Sequence, residues 1–224
     1  MFSNPKILGL AVVGGIIPSL LWLWFWLKED KKRNEPKGLL TICFIMGMTA
    51  VFFVLPIQKL IQSATSNLEW QIILWATAEE LIKYFAVLVI LFKTTYVDEP
   101  LDWPILMITA ALGFAAMENM LFLLKPTLFL DQITLGFLRY LGSTLLHSVS
   151  SGIIGIFMGL AFFMSGFRAK LYLIIGILVS IALHSVFNFF IMENSGSNFL
   201  KALAFLWVVT IIIMLLFEKL RRMQ

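Results

Sequence analysis

Hydrophobic residues fall along this chain in seven long runs, at about residues 7–27, 39–61, 70–92, 103–124, 134–165, 171–192 and 199–217, separated by short polar segments. A helix needs roughly 20 apolar residues to cross a bilayer, and every run is close to that length or longer. The pattern predicts an all-α fold, a polytopic membrane helical bundle of about seven transmembrane helices. The fifth run is the irregular one. At about 1.5 Å per residue it would be near ~50 Å long if helical throughout, so it either tilts or breaks around residues 133–142, which would make eight segments. No segment between the runs is long enough for a separate soluble domain, and residues 1–224 read as a single integral-membrane domain. The first run is long for a signal peptide, carries Trp22, Trp24 and Trp26 at its end, and passes into Lys28 to Arg33 without a small-residue cleavage site. It reads as a retained anchor.

Composition strengthens this picture and charge orients it. Hydrophobic residues make up 60% of the chain and charged ones 13%, with a mean hydropathy of +0.94, far too apolar for a soluble domain. One set of alternating loops holds Lys28, Lys31, Lys32, Arg33, Lys37, Lys93, Arg168, Lys170, Lys219, Arg221 and Arg222; the opposite set holds Lys6, Lys59, Lys125 and Lys201. The positive-inside rule places the first set in the cytoplasm, with the N-terminus external and the C-terminus cytoplasmic. These anchoring loops account for the net charge of +4, so the expected partner is the lipid bilayer and no nucleic acid is invoked. Cys43, the one cysteine, lies within the second run and reads as a small apolar residue rather than a nucleophile.

The polar residues inside the runs carry the chemistry. They are Glu79, Glu80 and Lys83 in the third, Glu118 with Asn119 in the fourth, Arg139 and His147 in the fifth, and His184 with Asn188 in the sixth. A carboxylate at bilayer depth costs at least ~2.5 kcal/mol on insertion scales and is kept where it faces protein or water. Counted from the external ends of the runs, Glu118 lies ~9 Å deep, His184 ~12 Å, Glu79 ~14 Å and His147 ~20 Å. Four runs thus bring ionisable groups into one layer, in the outer half of the membrane. Adjacent helix positions are ~100° apart, so Glu79 and Glu80 cannot both face one spot. Lys83 is within reach of either, and His184 and Asn188 share a face. Small residues at Ala110, Ala111, Gly113, Ala115 and Ala116, and at Gly152, Gly155 and Gly159, allow close helix approach.

Each group also has a bland reading: the glutamate–lysine set as a packing ion pair, the histidines as hydrogen-bonded interior residues, Asn119 and Asn188 as interhelical glue, Arg139 as an anchor or a partner for Asp131. Their shared depth argues against all of these holding at once. A carboxylate with imidazoles can activate water and protonate a leaving amine, as peptide hydrolysis requires. The same groups can ligate zinc, through Glu118, His147 and His184 with an open fourth position. Spacing does not separate the metal-free mechanism from the zinc one, because the groups come from different helices and no HExxH motif is present.

The ordered motifs Glu79-Glu80-Leu81-Ile82-Lys83, then Gly113 to Phe122 around Glu118-Asn119, then His147 before a Gly-rich helix, then Leu183-His184-Ser185-Val186-Phe187-Asn188, resemble those of the PrsW intramembrane proteases. The segment from Leu27 to Pro36 is similar to that family's first cytoplasmic loop. The wider group of CAAX prenyl proteases and bacteriocin-processing or immunity relatives carries His where this chain has Glu118, which favours PrsW. Asn188 stands where PrsW relatives carry Asp, and Phe122 where they often carry Tyr. The resemblance implies a multi-pass bacterial plasma-membrane protease that makes the first cut in a membrane-anchored substrate, an anti-sigma factor, on its external side under envelope stress. It implies that Glu79 and Glu80 are the water-activating base and its supporter, in either order. Glu118, His147 and His184 would serve as acid, orienting group or ligand, and Asn188 as oxyanion donor. The rival classes are a proton-coupled transporter or channel, against which the lack of inverted repeats counts, and a CAAX-protease-like or immunity protein with another substrate.

Overall fold

A computed structural model of the chain describes residues 5–28, 35–92, 96–125, 138–192 and 199–223. The described residues form seven α-helices: α1 (Pro5–Leu27), α2 (Lys37–Ala64), α3 (Leu68–Leu91), α4 (Asp102–Leu123), α5 (Leu145–Leu160), α6 (Gly166–Met192) and α7 (Phe199–Arg221). A π-helical turn, Tyr140–Thr144, leads directly into α5. Six helical segments are long and apolar enough to cross a membrane. α3 has 24 residues but carries Glu79, Glu80 and Lys83 in its middle, which is what sets it apart from the six.

Elements follow the hydrophobic runs to within a few residues, and the local chemistry explains their ends. Asn67 precedes α3 and its side chain accepts the Trp70 backbone N–H at 3.0 Å, satisfying one of the donors a helix start leaves free. The fifth run is where expectation and structure part. Helix ends at Leu160, the apolar residues after it form a turn, and α6 begins at Gly166 with φ of 62°, a conformation glycine adopts without a Cβ penalty. Hydrophobicity alone carried the predicted span through that turn. At the other end the π turn is continuous with α5, so the helix is unbroken from residue 138 to Leu160; residues 133–137 of the expected break lie outside the described residues.

α4 is the axis of the bundle. Sixteen of its 22 residues are buried, and its small side chains let neighbours close on it. A Cβ on Gly47 of α2 would overlap the Ala110 carbonyl, and one on Gly113 of α4 would overlap the Phe44 carbonyl, so the two helices cross backbone to backbone. Gly155 of α5 lies likewise against Pro104 and the Trp103 carbonyl. α1 and α7 lie outside, each burying one stripe: Ala11, Gly15, Ser19, Trp22 and Trp26 on α1, and Ala202, Leu206, Thr210, Ile213, Phe217 and Leu220 on α7. The α1 indoles also fix the start of α5. Trp22 Nε1 donates to the Tyr140 carbonyl at 3.2 Å in the π turn, and Trp26 Nε1 to Ser148 Oγ at 3.3 Å.

Candidate active site

α3, α4, α5 and α6 bring Glu79, Glu80, Glu118, His147 and His184 into one cluster, as the depth count predicts. The two glutamates point apart. Glu80 is wholly buried and its carboxylate is saturated with donors. Oε1 accepts from Lys83 Nζ at 2.7 Å, His184 Nδ1 at 2.7 Å and Ser150 Oγ at 3.1 Å; Oε2 accepts from Ser151 Oγ at 2.7 Å and Ser180 Oγ at 3.2 Å. Glu79 faces a cavity of about 490 Å³ between the helices. Its Oε1 accepts from Gln58 Nε2 at 2.9 Å. Its Oε2 is buried and has no hydrogen-bond partner among the described residues, although His184 Nε2 lies 3.6 Å away and His147 Nδ1 and Lys83 Nζ each 3.8 Å.

The tautomers follow from the partners. Lys83 is an ammonium with donors only, so at 2.8 Å the His147 Nδ1 accepts from it. That leaves His147 Nε2–H to donate to Glu118 Oε2 at 3.1 Å. The Glu80 carboxylate accepts, so His184 carries its proton on Nδ1 and turns the Nε2 lone pair toward Glu79. Each imidazole is therefore backed by a carboxylate, Glu118 behind His147 and Glu80 behind His184, an arrangement that fixes tautomer and ring orientation. The rings pack edge to face with centroids 5.2 Å apart. Phe114 lies beneath both His147 and the Lys83 ammonium, so a residue inside the Gly113–Phe122 motif shapes the site through its ring.

Glu118 is held from the other side. Arg139 donates to Glu118 Oε2 at 2.5 Å, to Asn119 Oδ1 at 2.5 Å and to Ser143 Oγ at 3.1 Å, and Asn119 donates to Thr144 Oγ1 at 2.8 Å. Arg139 and Asn119 are thus parts of one clamp between α4 and the π turn. The pairing considered for Arg139, with Asp131, lies outside the described residues. The π turn inserts one extra residue per turn into the ladder and so places Ser143, Thr144 and His147 on the side facing α4. Asn188 lines the same cavity as Glu79, His147 and His184, one turn from His184.

The metal set differs from the one expected. Glu79, His147 and His184 offer one ligand atom each within 4.8 Å of one another, and all three residues are buried. Glu118 stands behind His147 in place of joining them, because Arg139 and the His147 Nε2–H hold its carboxylate. The orphaned Glu79 Oε2, the His184 Nε2 lone pair and the His147 Nδ1 lone pair are all acceptors, and acceptors that converge are stable only around a cation or a donor. The three residues therefore fit a zinc-type ion, with Glu80 and Glu118 supporting the imidazoles; Lys83, which now holds Nδ1, would pass that lone pair to the ion and keep Glu80.

Sequence reasoning missed Gln58, Ser150, Ser151, Ser180, Ser143 and Thr144. The Glu80 serines carried a usable signal, since Ser150 and Ser151 lie three and four residues after His147 and Ser180 four before His184, positions that share a helix face with the histidines. Gln58 carried none, because α2 adds no residue to the Glu79–His147–His184 cluster against which to set its phase.

This constellation can be set beside known proteins. The chain is 24% identical over 201 residues to Protease PrsW of Bacillus subtilis (strain 168), covering 88% of this chain and 90% of that protein. It is 26% identical over 186 residues to Protease PrsW of Geobacillus kaustophilus (strain HTA426), covering 82% and 80%, and 25% identical over 185 residues to Protease PrsW of Clostridioides difficile (strain 630), covering 79% and 77%. No solved structure gives a significant match. The model of the PrsW family intramembrane metalloproteases matches residues 35–217, a range that includes every residue of the cluster just described. The chain is a multi-pass membrane protein and belongs to the PrsW family of intramembrane proteases.

Proposed function

We infer that this protease makes the first cut in a single-pass regulatory protein, of the anti-sigma-factor type, near its external membrane boundary, with Glu79 as the base that activates water. The observation that carries the reading is Glu79 Oε2, a buried carboxylate oxygen without a hydrogen-bond partner among the described residues, aimed at both histidines and facing the cavity. Glu80 is unsuited to the task because five donors already fill its lone pairs. In this reading α3 crosses the membrane with the six apolar helices, the N-terminus is external and the cavity opens outward.

Glu79 Oε2 takes a proton from water as the oxygen attacks the scissile carbonyl carbon, and the carbonyl becomes a tetrahedral oxyanion. Asn188, on the cavity wall one turn from His184, donates to that oxyanion. Collapse of the tetrahedral carbon breaks the C–N bond, and Glu79 returns its proton to the leaving amine nitrogen. Glu80 keeps the His184 proton on Nδ1, so that the Nε2 lone pair faces the reaction side, and Glu118 keeps the His147 proton on Nε2, so that Nδ1 accepts from Lys83. Were a zinc ion held by Glu79, His147 and His184 instead, Glu79 Oε2 would serve as a ligand in place of a base, and the ion would supply the activation of water and the polarisation of the carbonyl. Lys83 keeps one positive charge beside two carboxylates, which limits their mutual repulsion.

The test is cleavage of a single-pass reporter, chosen from a library with a randomised external juxtamembrane segment for turnover by the wild-type protein. Chelation followed by zinc add-back should remove and restore cleavage if the ion is required, whereas activity that survives exhaustive chelation assigns the work to Glu79 and the imidazoles alone. Cleavage mapped to the cytoplasmic side of the reporter overturns the external placement.

A further inference from the structure

The last torsion of a glutamate is broad and roughly two-fold, so packing alone does not fix the plane of the Glu79 carboxylate. Two groups compete for it. Lys83, one helical turn on, holds Nζ 3.8 Å from Oε2, a gap that a small rotation would close into a full ion pair. Gln58, reaching across from α2, donates from Nε2 to Oε1 at 2.9 Å. We propose that Gln58 is a positioning residue that holds the Glu79 carboxylate by Oε1, keeping Oε2 aimed at His147 and His184 and out of a closed pair with Lys83. The proposal rests on Glu79 being the base.

Gln58 is itself held in place. Its backbone carbonyl accepts the Trp75 indole N–H at 3.2 Å, and Trp75 lies one turn before Glu79 on α3. The amide donor and the carboxylate acceptor are therefore tied across the α2–α3 seam by two bonds, one on the side chain and one on the backbone. Pro56, inside α2 two residues before Gln58, deletes one N–H from that helix's own ladder, which raises the importance of the tether for the direction of this segment. An amide also suits the role chemically. It donates a hydrogen bond without adding charge, whereas a lysine or arginine in its place would form a second ion pair on the same carboxylate. Gln58 lines the reaction cavity alongside Glu79, so its loss would be felt where water must be aligned.

The experiment compares Gln58→Met, which keeps the length and loses the donor, with Gln58→His, which restores an N–H at similar reach, using the selected single-pass reporter in detergent. Gln58→Met should lower kcat by about 10- to 100-fold, the scale of an ångström-level misplacement, with KM within about twofold, and Gln58→His should recover most of the loss. The antisymmetric carboxylate stretch assigned to Glu79 by its disappearance in Glu79→Gln should shift in Gln58→Met and return in Gln58→His. Should Gln58→Met not fold, Gln58→Asn, too short by one methylene to reach Oε1, takes its place. Unchanged kcat, a change in KM alone, or failure of the His variant to rescue overturns the proposal. Full activity of Glu79→Gln instead overturns the assignment of the base, which keeps the two failures distinct.

Discussion

Glu79 and Glu80 are consecutive on one helix, yet they look into regions built on opposite principles. The region around Glu80 is closed: Lys83, His184, Ser150, Ser151 and Ser180 fill its lone pairs, from three helices, with no exposed surface. The region around Glu79 is open and incomplete, with one oxygen held by Gln58 and the other facing two imidazoles and a cavity. A buried carboxylate that is fully paired rigidifies its surroundings, whereas one left short of partners is in a position to take part in reaction. The difference teaches that a doubled glutamate motif divides its labour by helical phase: ~100° of rotation sends one residue into the packed interior and the other to the cavity.

The contrast can be broken by substitution, and the largest effect belongs to the open side. Glu79→Gln keeps shape and loses the proposed base, and kcat on the reporter should fall by about 10²- to 10⁴-fold while the thermal midpoint in detergent stays near wild type. On the closed side the effect should appear as stability. Glu80→Leu leaves the fully buried Lys83 ammonium without its 2.7 Å partner and should cost about 3–5 kcal/mol in reversible unfolding; Glu79→Leu should cost far less, and equal costs would refute the distinction between the two regions. Adding Lys83→Met to Glu80→Leu should restore part of that stability, because the unpaired charge goes with it.

Two smaller effects sharpen the picture further out. Asn188→Ala should reduce kcat by about 10²- to 10³-fold if it serves the oxyanion, with folding unaffected; wild-type turnover would return it to the role of cavity lining. Gly47→Ala drives a methyl into the Ala110 carbonyl and should destabilise the bundle by about 1–3 kcal/mol, read from a denaturation midpoint, by prising α2 away from α4 rather than by touching the site. If Gln58 works as proposed, that substitution should also weaken turnover modestly, since α2 carries Gln58.

The helices were legible because lipid imposes a simple rule on sequence: spans must be apolar for about 20 residues, and turns need not be. Among the described residues the rule failed only where apolar residues continue past a helix end, at 161–165, and where an extra residue enters the helix as the π turn of Tyr140–Thr144. The depth layer was legible for the same reason, since rise per residue is fixed, and Glu79, Glu118, His147 and His184 do meet. The partners of Glu80 were half legible. Ser150, Ser151 and Ser180 share the phase of the histidines, but serine is ordinary in membrane helices and does not announce itself.

By itself, then, the sequence determined which segments are helical, which belong to lipid, which polar groups lie at one depth, and that two neighbouring glutamates must diverge. Only the tertiary structure decided which glutamate faces the cavity, that Glu118 backs His147 in place of joining Glu79 and His184, that Arg139 clamps Glu118 and Asn119, and that Gln58 of α2 reaches Glu79. Periodicity fixes axial position and phase within one helix. It carries no information on how helices rotate and cross against one another, which the small residues of α4 and the packing around them set.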